Sequence, residues 1–159
     1  MPGSTSFRPP NAAGEGPLSY AVFQLARAHR GRAAAMLRAM NLHPGQELLL
    51  MQLYDRDGQT QAELLERVDL DHSTVSKSLR RMQDAGLLTR EPARHDRRVM
   101  VVRLTAAGRA PQQSITDMWR TLEQISVRDL TPEQVEMFTA WARLIETSVR
   151  DHGRRAPAG

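Results

Sequence analysis

Apolar residues follow a helical spacing along most of the chain and change to strict alternation once. From Leu18 to about Met40, a stripe of Val22, Ala26, Ala33, Leu37 and Met40, widened by Phe23 and Leu25, predicts a first helix. Asn41-Leu42-His43-Pro44-Gly45 breaks it, and Pro44 suits the start of the next helix. That helix, about Gly45 to Tyr54, is apolar on most sides and is expected to be buried. Asp55-Arg56-Asp57-Gly58 reads as a turn. Thr60-Gln61-Ala62-Glu63 then has the form of a capping box, and the short helix behind it should bury Ala62, Leu64, Leu65 and Val68. After a turn at Asp69-Leu70, Asp71 caps a third helix with Val75, Leu79 and Met82 inward, and Gly86 ends it.

The period then changes. Leu87 to Glu91 is a strand candidate, and Val99 to Leu104 alternates, with Met100, Val102 and Leu104 on one face. Pro92 to Arg98 forms a charged hairpin tip between them. Two short helices joined by a tight turn and followed by a β-hairpin make a winged helix-turn-helix. Thr105 can cap a helix to about Val127, and Thr131-Pro132-Glu133-Gln134 opens the last one, whose apolar face is Val135, Phe138, Trp141, Ala142, Ile145 and Val149. One small subunit cannot easily bury this face and that of the first helix. The expected fold is therefore mainly α (α+β): a winged helix-turn-helix at 45–105, with a helical dimerisation region from the N- and C-terminal helices, 17–44 and 106–152. Residues 1–16 are expected to be a disordered tail and 153–159 a flexible one.

Composition narrows the chemistry. The chain has no cysteine, which removes disulfides, thiolate zinc sites and cysteine redox chemistry. The longest apolar stretch, ending at Met51, is too short to span a bilayer, and the first residues lack the apolar core of a signal peptide. A cytoplasmic protein without a membrane partner is expected. Lys77 is the only lysine. Arginine suits phosphate and guanine recognition, but it also rises generally in GC-rich genomes, so only its placement argues for DNA. Between Lys77 and Arg103 eight cations face three anions, a net +5 against +4 for the whole chain. Such a stripe is the electrostatic footprint of a polyanion partner.

On the third helix, Ser73, Lys77, Arg80 and Asp84 lie opposite the buried face, with Thr74, Ser76 and Arg81 on the flanks. Small hydroxyls at its start allow close approach to base edges, and Lys77 and Arg80 can reach guanine or a phosphate. Thr60 is explained by capping alone, while Gln61 and the neighbouring N–H groups also suit a phosphate. The five histidines, His29, His43, His72, His95 and His152, include no pair at helical ligand spacing, so no metal and no cofactor are expected.

These strings resemble the multiple antibiotic resistance regulator (MarR) family. The resemblance is carried by Leu42-His43-Pro44-Gly45-Gln46, Thr60-Gln61-Ala62-Glu63-Leu64, Ser73-Thr74-Val75-Ser76, and Leu79 with Gly86-Leu87. Asp96-Arg97-Arg98 followed by Leu104-Thr105-Ala106-Ala107-Gly108 completes it, and the whole covers about residues 18–150. It implies a twofold homodimer that represses genes by binding a pseudo-palindromic operator in double-stranded DNA. It also implies release by a small phenolic or lipophilic effector. In the wing it implies that Arg98 enters the minor groove and Asp96 holds it, with Arg94 and Arg97 on phosphates. Peroxide-sensing members use a cysteine, and zinc-sensing members use histidines on the helix after the wing; this chain has neither. An enzyme is not expected, since no nucleophile elbow or glycine-rich phosphate loop is present. The alternative is a winged helix that binds protein without DNA specificity, against which the basic stripe argues.

Overall fold

The computed structural model describes residues 10–68 and 70–155. They fall into two compact units, divided after Met118.

In the first unit, Asn11–Glu15 is a short 3-10 helix and Pro17–Ala39 the long helix α1, with proline in its first turn. Residues 1–9 of the expected tail lie outside the described residues. Just beyond α1, Asn41 takes a left-handed φ of 56°, and Leu42 N–H returns to the Leu37 carbonyl at 2.9 Å. Both leucines are buried. Gly45, at φ 93°, admits the chain into α2 (Gln46–Asp55), whose Leu49, Leu50 and Leu53 are fully buried, as its all-round apolarity predicts. A two-residue strand β1 (Gln59–Thr60) precedes α3 (Gln61–Arg67) and α4 (His72–Asp84). Then come β2 (Leu88–Pro92), β3 (Met100–Leu104) and α5 (Ala106–Arg109).

The sheet is antiparallel in the order β1-β3-β2, with Val102 opposite both Gln59 and Arg90. Val102, Leu64, Val75, Leu79, Met82 and Leu88 meet beneath it as one core. Strand β1 has no signal in the pattern, because two polar residues offer no alternation to read. Its Gln59 is fully buried, and its side-chain amide donates to the Gln52 and Arg56 carbonyls at 2.7 and 2.6 Å. It thereby closes the end of α2 and brings the chain to the sheet edge.

Three other expectations are corrected. Ala62 is exposed and Leu65 half-buried, because both line an open groove rather than the core. The helix expected from Thr105 to Val127 is broken: α5 ends at Arg109, and α6 (Gln112–Val127) begins after Pro111, which has no N–H to continue the ladder. The final helix, α7 (Pro132–Arg155), runs through 153–155, where a tail was expected.

In the second unit, α7 opens with the expected reciprocal cap: Thr131 N–H donates to Gln134 Oε1 at 2.8 Å, and Gln134 N–H to Thr131 Oγ1 at 3.3 Å. Its apolar face stays open to solvent at Phe138, Trp141, Leu144 and Val149. Among the described residues no helix is long and apolar enough to cross a membrane.

Candidate nucleic-acid interface

The helix-turn-helix is fixed by two N-caps. At α3, Glu63 N–H donates to Thr60 Oγ1 at 3.1 Å, while Glu63 Oε2 accepts from Thr60 N–H at 2.7 Å. The other Glu63 oxygen pairs with the Arg56 guanidinium at 2.6 Å. The Thr60 N–H first, and Arg56 after it, hold the Glu63 carboxyl down at about 2. At α4, Asp71 accepts from the Thr74 N–H at 2.9 Å, from Ser73 Oγ at 2.7 Å, and from the Thr74 hydroxyl. These donors, the Thr74 hydroxyl foremost, keep Asp71 well below the usual carboxylate range. The hydroxyl protons of Ser73 and Thr74 are thus engaged internally.

Over the buried Val75, Leu79 and Met82, α4 presents Ser73, Lys77, Arg80 and Arg81 exposed to solvent, with Thr74 and Ser76 half-buried beside them. The helix stops at Gly86 (φ 74°), with Gly86 N–H on the Gln83 carbonyl and Leu87 N–H on that of Met82, both at 2.9 Å.

The wing tip is a tight turn. Ala93 N–H donates to the Val99 carbonyl at 2.8 Å, and Val99 N–H to the Asp96 carbonyl at 3.0 Å. Asp96 Oδ1 accepts from the main-chain N–H of Arg98 at 2.9 Å, not from its guanidinium. Arg94, Arg97 and Arg98 are all exposed. A groove of about 380 Å³ at the base of the wing is lined by Thr60, Gln61, Leu65, His72, Arg98 and Met100. The start of α3, the start of α4 and the wing arginine therefore converge on one concavity. His95 is exposed at the wing tip and is not among those lining residues.

Several supporting contacts join residues far apart in the sequence, so spacing did not reveal them. Arg90 Nε donates to Gln83 Oε1 at 2.6 Å, joining β2 to α4. Asp57 accepts the N–H groups of Gly58 and Leu104 on one oxygen, each at 2.9 Å, and pairs with Arg109 through the other. Thr105 Oγ1 accepts from Gly108 N–H at 3.1 Å and donates to the Gly86 carbonyl at 2.6 Å. Tyr54 donates its hydroxyl to the Gly108 carbonyl at 2.8 Å, and burial pushes that phenol up to about 12. Asp57 and Gly58 could be read as a turn, but the bond that Asp57 accepts from Leu104, 47 residues later, could not.

Residues 31–99 match the model of the MarR family. The organic hydroperoxide resistance transcriptional regulator of Bacillus subtilis is 26% identical over 112 residues, covering 70% of this chain and 76% of its own length. A crystal structure of MarR superposes with a TM-score of 0.70 at 27% identity, covering 87% of this chain and 95% of that one. The S. aureus MepR–DNA complex does so at 0.76 and 25% identity, over 82% of this chain and 97% of that one. Residues 31–99 carry the sequence pattern of the MarR family, and the fold is that of the MarR structures. The chain has the winged-helix fold, and these matches support a DNA-binding transcriptional regulator. The strings that carried the MarR resemblance now have physical reasons: two caps, a left-handed helix stop, a wing turn and a threonine-glycine lock.

Proposed function

We propose that this protein is a homodimeric repressor of the MarR family that reads a pseudo-palindromic operator in double-stranded DNA. The observation that carries the reading is the outward face of α4. Ser73, Lys77, Arg80 and Arg81 stand over a fully buried Val75-Leu79-Met82 stripe, beside an exposed basic wing. In this reading α4 enters the major groove, where Lys77 and Arg80 meet base edges and Ser73, Thr74 and Ser76 allow close approach. Arg98 enters the adjacent minor groove, which concentrates negative potential where it is narrow. Arg94, Arg97 and the start of α3 at Thr60 and Gln61 hold phosphates, fixing register without reading sequence. The S. aureus relative was solved as a DNA complex, which supports this use of the fold.

Dimerisation is supported by apolar surface that one chain leaves open: Leu18, Phe23 and Leu25 on α1, and Phe138, Trp141, Leu144 and Val149 on α7. The terminal helices form the dimerisation region in this reading, and 45–105 the DNA-binding region. Release by a small lipophilic or phenolic effector belongs to the same proposal.

Selection of bound fragments from a random duplex library tests the reading. It should enrich a pseudo-palindrome with half-site centres about 10 bp apart, one helical turn. Recovery without any enriched sequence contradicts it.

A further inference from the structure

Two segments of the chain are basic, and the interface above uses one. Residues 17–40 carry Arg27, Arg30, Arg32 and Arg38 and no carboxylate. Residues 41–72 then hold seven carboxylates against Arg56 and Arg67, a net −5, before the +5 stretch from Lys77 to Arg103. Along the chain the two basic segments are electrostatically separate.

On α1 the arginines form a row. At 3.6 residues per turn, Arg27, Arg30 and Arg38 fall within an arc of about 80°, and at 1.5 Å rise they span about 16 Å. All three are exposed; Leu18, Val22, Leu25 and Met36 point to the opposite side of the helix, while the exposed Phe23 lies within the arc of the row near its N-terminal end. Among the described residues no ion pair engages them; Arg30 Nε donates only to the Ala26 carbonyl, at 3.2 Å. An exposed helix gains from opposite charges three or four residues apart and loses from like charges so placed. Here Arg27 and Arg30 bring the loss without any gain, and an anion laid along the row removes it.

We propose that this row binds the phosphate backbone of a second duplex DNA segment, separate from the one held by the winged helix. One regulator then bridges two stretches of DNA. The proposal rests on the DNA-binding reading above. Each strand of a duplex carries a charge about every 3.4 Å, so a 16 Å row faces about five phosphates. A small anion engages one guanidinium and leaves the rest of the row unused. Binding to backbone alone gives no sequence preference. Leu18, Val22 and Leu25, on the other side of α1, stay available for dimerisation.

The test uses the full chain bound to immobilised operator duplex, washed, and offered labelled duplex without an operator. The wild-type complex should retain the label, and the triple variant R27Q/R30Q/R38Q should not, while holding the operator with unchanged affinity. Glutamine keeps helix propensity close to arginine's. The lysine triple variant keeps the charge and should retain the label, which separates loss of charge from loss of fold. In the wild type, retention should fall with log salt at a slope of about 0.9 per phosphate engaged, so about 2.7 for three. No retention by the wild type, or equal retention by the glutamine variant, overturns the proposal. If the chain fails to hold the operator at all, the DNA-binding reading fails with it.

Discussion

Gly108 lies against Leu87 so closely that a β-carbon built on it stands 1.9 Å from the Leu87 carbonyl oxygen. That carbonyl already accepts the Thr105 N–H at 3.1 Å, and the Gly108 carbonyl accepts the Tyr54 hydroxyl. This packing locks the end of the wing to the start of α5 and to α2. Gly108→Ala should therefore cost about 3 kcal/mol or more in urea unfolding, because backbone rather than a side-chain tip must move. Gly86 has open space around it and only a left-handed φ to maintain, so Gly86→Ala should cost about 1–2 kcal/mol. The reverse order contradicts the lock.

Asp96 raises a question of sign. Removing a carboxylate from a DNA-facing wing strengthens binding by simple electrostatics. Asp96 also accepts the Arg98 N–H and so holds the turn that aims Arg98. Asp96→Ala should weaken operator binding, and Asp96→Asn, which keeps the acceptor without the charge, should bind at least as well as wild type. Titration of both variants at one salt concentration checks this; tighter binding by Asp96→Ala rules the turn-holding role out.

Acid should loosen the capping box of α3. The Glu63 carboxyl sits at about 2 in the folded chain, below its ordinary 4.5. A lowered folded value contributes stability that is whole above the unfolded pKa and is lost as pH falls toward the folded one. The stability gap between wild type and Glu63→Gln should therefore shrink between about pH 4.5 and 2. Urea midpoints measured across that window decide it, and a constant gap contradicts the assignment.

The open apolar faces of α1 and α7 predict a dimer. Light scattering at micromolar concentration should give twice 17.9 kDa. Replacing Trp141, which is 56% exposed in the single chain, with glutamate should shift the protein toward monomer. A wild-type monomer with intact helices contradicts the dimer.

The caps are the most legible part of this protein in its sequence. Thr60 with Glu63, Asp71, and Thr131 with Gln134 each act within three residues, so spacing alone reveals them. The Val75-Leu79-Met82 stripe is equally plain, because helical periodicity is local. What stays hidden depends on distant partners. Asp57 meets Leu104 across the sheet, Gln59 is drawn into a strand by the end of α2, and Arg90 reaches Gln83. The MarR resemblance matches Asp96 to Arg98, but spacing cannot say that its partner is the main chain. Leu65 departs from its pattern for a related reason: its spacing fits a core, and only the groove beside Met100 explains its exposure.

The central claim is that α4 reads bases while the wing tip holds phosphates. Arg80→Ala and Arg94→Ala, each titrated against the selected operator and against random duplex, test it most directly. Arg80→Ala should lose about 1–3 kcal/mol on the operator and little on random DNA. Arg94→Ala should weaken both alike and flatten the salt dependence by about 0.9 for each phosphate it no longer holds. Equal losses on operator and random DNA for Arg80→Ala would contradict the account.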